Sequence, residues 1–205
     1  MCGRYLIEDE AYSDILEILY NPAISGILSG APLPVIAQGE VFPTNIAPVY
    51  VKDGAEAVKW GFPHWSNDSV IINARSETAL DKKMFGKALR ERRCVIPSSG
   101  FYEWGYPDGN ITQAKRLKKL KYLFNEPNEK KLYMAGTIST FTDPLGEKYD
   151  AFVILTTVAN EYVSQVHNRM PVILSEDERD DWLHSTGFME FVLQRPGPKL
   201  ISRIA

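Results

Sequence analysis

The sequence predicts an α+β fold: a single domain with a curved, barrel-like, mainly antiparallel sheet and a few peripheral helices. Two observations carry this. Many short apolar runs at strand spacing are separated by Gly, Pro and Asn, and three or four segments at helical spacing are scattered among them. A third is negative: the 205 residues hold no internal repeat and no low-complexity linker. That length suits one large or two small domains.

Taken in order, residues 9–20 form the first helix. Tyr12, Ile15, Leu16 and Leu19 share a face, and Glu8, Asp9 and Glu10 sit near the positive end of the helix dipole. Residues 21–39 read as a loop. The stretch 42–48 is a poor helix or central strand, because each of its two prolines removes a backbone donor. Val49–Lys52 and Ala55–Trp60 flank Asp53-Gly54, a strong hairpin signal. Gly61–Trp65 is a loop with an aromatic tip, Val70–Asn73 a short strand, and residues 81–91 a helix buried through Met84, Phe85, Ala88 and Leu89. Cys94-Val95-Ile96 is a buried strand ending at Pro97. Phe101–Tyr106, Lys121–Phe124, Leu132–Phe141 and Ala151–Val158 follow as strands, with a turn at Pro107–Asn110. Asn160–Val166 makes one or two helical turns before the strand Met170–Leu174. Ser175 and Glu178 have capping-box spacing and open a helix through Trp182 and Leu183. Leu200–Ala205 is an edge strand.

Composition narrows the function. Hydrophobic content of 44% and charged content of 24% are those of an ordinary globular protein. The longest apolar runs are far too short to span a bilayer, and acidic residues at 8–10 break any signal-peptide layout. A cytoplasmic, nucleoid-associated location with no membrane partner is expected. Two cysteines are too few for a disulfide framework. A net charge of −3 argues against coating nucleic acid by bulk charge, yet leaves room for a local basic groove. The run Lys115–Lys121 is the densest basic stretch and reads first as a solvated surface.

Four places have the composition of a site. The first is Cys2, with Arg4 beside it. Removal of Met1 would leave a free α-amine, of ordinary pKa about 8, next to a thiol of about 8.5. Such a 1,2-aminothiol condenses with an aldehyde to a Schiff base and closes to a thiazolidine, which no internal cysteine can do. The second is Asn73-Ala74-Arg75 at a strand end. The third is Glu103, a carboxylate inside the aromatic strand 100–104, where burial would raise its pKa toward acid/base range. The fourth is His167-Asn168-Arg169. Cys2, Cys94, His64 and His167 lack metal-ligand spacing, so no metal or other cofactor is expected. No phosphate loop, dinucleotide fingerprint or nucleophile elbow is present.

Met1–Tyr5, Asn45–Pro48, Trp60–Phe62, Ile72–Thr78, Arg93–Pro97, Gly100–Trp104, Met134–Gly136 and His167–Pro171 occur in the order seen in SRAP proteins, the SOS-response-associated peptidase family, and over residues 2 to 174 the chain resembles that family. The resemblance implies one domain over 2–205 that senses abasic sites in single-stranded DNA, including at junctions with duplex, and acts as a monomer. It implies a thiazolidine crosslink through Cys2, with Asn73, Glu103 and His167 as the other catalytic residues. Asn73 would hold the Cys2 amine or a sugar hydroxyl, and Glu103 would also serve an autoproteolytic removal of Met1. Arg4, Arg75 and Arg169 would meet phosphates, Trp65 would act as a wedge, and Asn45, Pro48, Trp104 and Thr156 would line the pocket. The chain departs from the commoner pattern at Met170, where some members carry a second arginine, in a shorter 61–65 loop, and in a longer, more basic segment 107–121. The alternative reading is a cysteine-dependent peptidase or amidase acting on other proteins, with Cys2 as nucleophile and His167 as base.

Overall fold

The structure, a computed structural model, describes residues 2–20, 35–66, 68–106 and 118–205. The expected turn 107–110 and most of the 21–39 loop and of the 107–121 segment fall outside these. In chain order the elements are β1 (Arg4–Ile7), α1 (Asp9–Leu19), β2 (Gly39–Val41), β3 (Ile46–Val51), β4 (Gly54–Trp60), β5 (Phe62–Pro63), β6 (Val70–Ile71), β7 (Asn73–Arg75), α2 (Ser76–Ala79) and α3 (Gly86–Glu91). They continue with β8 (Arg93–Ser98), β9 (Gly100–Gly105), β10 (Leu120–Asn125), β11 (Leu132–Thr142), β12 (Lys148–Val158), β13 (Arg169–Pro171), β14 (Ile173–Leu174), α4 (Arg179–His184), α5 (Thr186–Gln194) and β15 (Ile201–Ile204).

Five strands close on themselves. β12 pairs with β4, β4 with β3, β3 with β8, β8 with β11, and β11 returns to β12. The closure rests on one parallel contact, Ala151–Lys59 and Phe152–Trp60, in a ring otherwise antiparallel. Closing a sheet removes its edges, and β8, most of β3 and long stretches of β11 and β12 are buried. A second sheet, in the order β15-β10-β9-β1-β2, carries the N-terminus next to β9. Trp60 stacks on Phe152 at 6.2 Å and meets Tyr5 at 5.3 Å, so the core runs without a break from the barrel into the second sheet.

The hairpin at Asp53-Gly54 forms as expected, with Val51 opposite Gly54. Pro48 nevertheless lies inside β3. The reason is that β8 pairs with β3 only at Tyr50–Val95, so no second ladder requires the missing N–H. The helix expected over 81–91 is broken. Its first part is a turn, and only Gly86–Glu91 is helical. Gly86 marks the break, since a Cβ there would meet the Leu80 carbonyl oxygen at 2.3 Å. Glu178 does reach back to the Ser175 amide at 2.9 Å, but the helix proper starts at Arg179. Residues 160–167 form consecutive turns. β1 and α5 lie in stretches where the sequence had pointed to no element. Among the described residues no helix is long and apolar enough to cross a membrane.

Candidate active site

The alternation of β9 builds the site. Successive residues of a strand face opposite ways, so Tyr102 and Trp104 share one face and Glu103 takes the other. β1 runs antiparallel to β9, with Arg4 opposite Tyr102, which brings the chain before Arg4 alongside Glu103. Cys2 is wholly buried there. Its Sγ donates to the Arg4 carbonyl oxygen at 3.6 Å. Burial, reinforced by the Glu103 carboxylate, pushes the thiol well above its ordinary value. With Met1 attached, Cys2 is a protonated thiol on an amide nitrogen.

Asn73 comes from β7, which lies parallel to β12 with Asn73 opposite Ile154. Its Nδ2 donates to the Cys2 carbonyl oxygen at 2.9 Å. Among the described residues, its buried Oδ1 accepts no hydrogen bond. An unmet acceptor in such a place costs about 1–3 kcal/mol and leaves a seat for a donor.

Glu103 is 3% exposed, and burial pushes its carboxyl up to about 7. It can therefore give or take a proton at neutral pH. His167 Nδ1 lies 4.0 Å from Glu103 Oε1. The Arg169 amide N–H donates to that same Nδ1 at 3.0 Å, the shorter of its two contacts with Arg169, whose carbonyl oxygen lies 3.3 Å away; this favours the proton of the neutral ring on Nε2. Burial lowers the His167 pKa, so the ring is mostly neutral at pH 7. The loop carrying it packs hard on the end of β9: a Cβ on Gly105 would meet Val166 Cγ1 at 2.8 Å and its Cα at 3.0 Å. Gly105 is the residue that lets His167 come this close to Glu103.

The other candidate residues fall into groups. Arg169 forms a fork with Glu77, at 2.6 and 2.9 Å, and also donates to the Thr156 carbonyl at 2.5 Å. Thr156 is buried, with its hydroxyl toward the Ala74 carbonyl, and Arg75 is exposed at the end of β7. Met170, at the position where some SRAP proteins carry arginine, is fully buried in the core. Arg4 sits over the rings of Phe42 at 4.3 Å and Trp104 at 5.3 Å, and bonds Glu40 at 2.9 Å. Asn45 Oδ1 accepts from the Phe42 amide at 2.9 Å, so it shapes the turn that presents Phe42 to Arg4. Pro48 is buried in β3 opposite Ala57, and its described pairing does not reach Cys2. Trp65 is 83% exposed, stacked on His64 at 5.5 Å and apart from the other groups. Sequence reasoning gave no role to Glu40, Glu77 or Gly105, and read Lys121 only as part of a basic run. Glu77 and Gly105 lie within or beside the quoted motifs. The partners of Glu40 are 36 and 81 residues away, beyond any local pattern.

Known structures share this architecture. A crystal structure of a protein from Bacteroides thetaiotaomicron superposes with a TM-score of 0.76 over 99% of this chain and 91% of that one, at 22% identity, a likeness of fold alone. The class is thus a closed mixed barrel with an N-terminal strand on a second sheet. The model of the SOS response associated peptidase family, SRAP, matches residues 1–195, and the chain belongs to that family. Abasic site processing protein YoqW of Bacillus subtilis is 32% identical over 200 residues, covering 90% of this chain and 80% of that protein. Abasic site processing protein YedK of Escherichia coli is 26% identical over 187 residues, covering 89% and 79%.

Proposed function

We propose that this protein processes abasic sites in single-stranded DNA by joining Cys2 to the ring-opened sugar after Met1 is lost. The observation that carries the reading is the convergence on Cys2: Asn73 on its carbonyl at 2.9 Å, and a carboxyl titrating near 7 packed on the strand beside it. Its relatives' names supply the lesion class.

The steps balance without a cofactor. The freed amine of Cys2 adds to the aldehyde carbon C1′, and the carbinolamine loses one water to give an imine. The thiol then adds across the C=N bond, sulfur to carbon and hydrogen to nitrogen, closing the thiazolidine. Glu103, poised near neutrality, protonates the departing hydroxyl and takes the proton back in reversal. The same carboxyl can serve removal of Met1 as a base. As the sugar ring opens, the C1′ hydroxyl gives its proton to the carboxylate form of Glu103 and the protonated fraction of His167 gives one to the ring oxygen, which leaves Glu103 protonated for the dehydration step. Asn73 fixes the Cys2 carbonyl and so aims the amine and thiol, while its open Oδ1 can accept from the amine. Arg4, Arg75 and Arg169 meet phosphates, Trp65 wedges or stacks against unpaired bases, and a strand kinked at a duplex junction suits these placements.

The peptidase alternative fits less well. It needs a thiolate paired with an imidazolium, whereas the Cys2 proton is directed at a carbonyl and burial opposes ionisation of both groups. Protein whose mass confirms loss of Met1 tests the proposal: after incubation with an abasic oligonucleotide, a tryptic digest should carry the adduct on the peptide beginning with Cys2. Repeated release of cleaved peptide from a protein substrate, with no adduct, would favour the peptidase instead.

A further inference from the structure

The outer face of the second sheet holds two cations clamped by one carboxylate. Glu40 lies on β2, the edge strand. Its Oε1 accepts from Arg4 Nη1 at 2.9 Å and its Oε2 from Lys121 Nζ at 2.6 Å. Each cation also rests on an aromatic face: Arg4 on Phe42 and Trp104, and Lys121 on Tyr102 at 3.9 Å. Strand register places Tyr102, Trp104, Arg4 and Lys121 on one face of the sheet, directly behind the strand that carries Glu103. A carboxylate bridging two cations set on aromatic platforms occupies the geometry of a phosphodiester whose neighbouring bases stack.

Burial works against ionisation of Glu40, but the hydrogen bonds from Lys121 and Arg4 outweigh it and hold the carboxyl below its ordinary value. It is therefore charged at neutral pH and cancels one of the two positive charges. At 26% exposure the carboxylate is reachable from solvent, so an incoming anion can compete with it without opening the core.

We propose that Glu40 is a specificity-determining gate. It occupies the seat that a backbone phosphate takes on Arg4 and Lys121, and by holding it in the empty protein it weakens binding to undamaged single strands. The proposal rests on the DNA reading above, but it concerns non-covalent binding and needs no chemistry at Cys2.

The test is equilibrium binding of an undamaged single-stranded oligonucleotide to the Met1-processed protein across a salt series. Glu40→Gln should bind more tightly than wild type at low salt. The slope of log K against log salt should steepen by about 0.7, the increment for one further phosphate neutralised on a single strand. The double variant Glu40→Gln/Lys121→Gln should return the slope to near the wild-type value. Thermal melting of each variant confirms that it is folded. Were the clamp only a structural tie, Glu40→Gln would bind equally or more weakly with an unchanged slope, and that result overturns the gate while leaving the DNA reading standing. A wild type that does not bind the oligonucleotide even at low salt overturns both.

Discussion

Replacing Glu103 with Gln should stabilise the protein at alkaline pH. The carboxyl is buried, and its titration moves from an ordinary 4.5 to about 7. The unfolded chain therefore loses this proton first. Between pH 4.5 and 7 the folded state binds more protons, so wild-type stability falls as pH rises through that window. At 1.36 kcal/mol per pH unit the loss amounts to about 3 kcal/mol above pH 7. Glutamine resembles the protonated carboxyl and escapes the penalty. Glu103→Gln should match wild type at pH 4, gain steadily to pH 7, and stay ahead by up to about 3 kcal/mol beyond it. For a chain of this size that is roughly 6–12 °C in Tm. Denaturant melts of both proteins at pH 4.5, 6 and 8 measure it. A difference that is independent of pH, or a Glu103→Gln protein less stable at pH 8, would refute the buried, proton-exchanging carboxyl. The same variant should crosslink more slowly, so stability and activity move in opposite directions, as expected where a buried charge serves chemistry rather than folding.

Asn73→Ala removes the 2.9 Å bond to the Cys2 carbonyl; single-turnover kinetics with an abasic oligonucleotide should show a rate lower by about tenfold, the effect of losing about 1.4 kcal/mol of positioning. Gly105→Ala forces Val166 outward, which should cost about 1–3 kcal/mol of stability and lower activity together, read by melting and by the crosslink rate. Glu77→Gln breaks the fork on Arg169, and faster amide exchange in residues 159–169 should follow, with little change in α1. Trp65→Ala should shift stability by no more than about 0.5 kcal/mol, because the ring is exposed. If Trp65 stacks on bases, the same change should weaken single-strand binding by about 1–3 kcal/mol.

Local signals were legible where local chemistry decides the structure. The Asp53-Gly54 hairpin, the amphipathic face of α1 and the long strands β11 and β12 could all be read from spacing and turn residues. Closure of the barrel could not, because it depends on the parallel pairing of Phe152 with Trp60, which no local pattern encodes. α5 escaped notice because Gly187 and the aromatic residues Phe188 and Phe191 obscure a helix. Its signal was Ser185, whose side chain accepts from the Phe188 amide, followed by the buried stripe Met189, Val192 and Leu193. β1 is four residues long and gains its partners from β2 and β9, far along the chain. At the site, residue types pointed to Cys2, Asn73, Glu103 and His167, and the raised pKa of Glu103 followed from the aromatic strand around it. The sealed thiol of Cys2 and the Asn73 bond to its carbonyl are tertiary facts. So are Glu40 and Glu77 on Arg4 and Arg169, since each pair is assembled across strands distant in sequence.

A denaturing gel of Met1-processed protein with a single-stranded oligonucleotide carrying one abasic site, run beside Cys2→Ala and an undamaged control, puts the chemistry of Cys2 to the proof. The wild type should give one shifted band that survives denaturant, approaches one adduct per protein molecule, and vanishes with Cys2→Ala or an intact strand. An equal band from Cys2→Ala, or no band from processed wild type, would contradict a crosslink formed through the N-terminal cysteine.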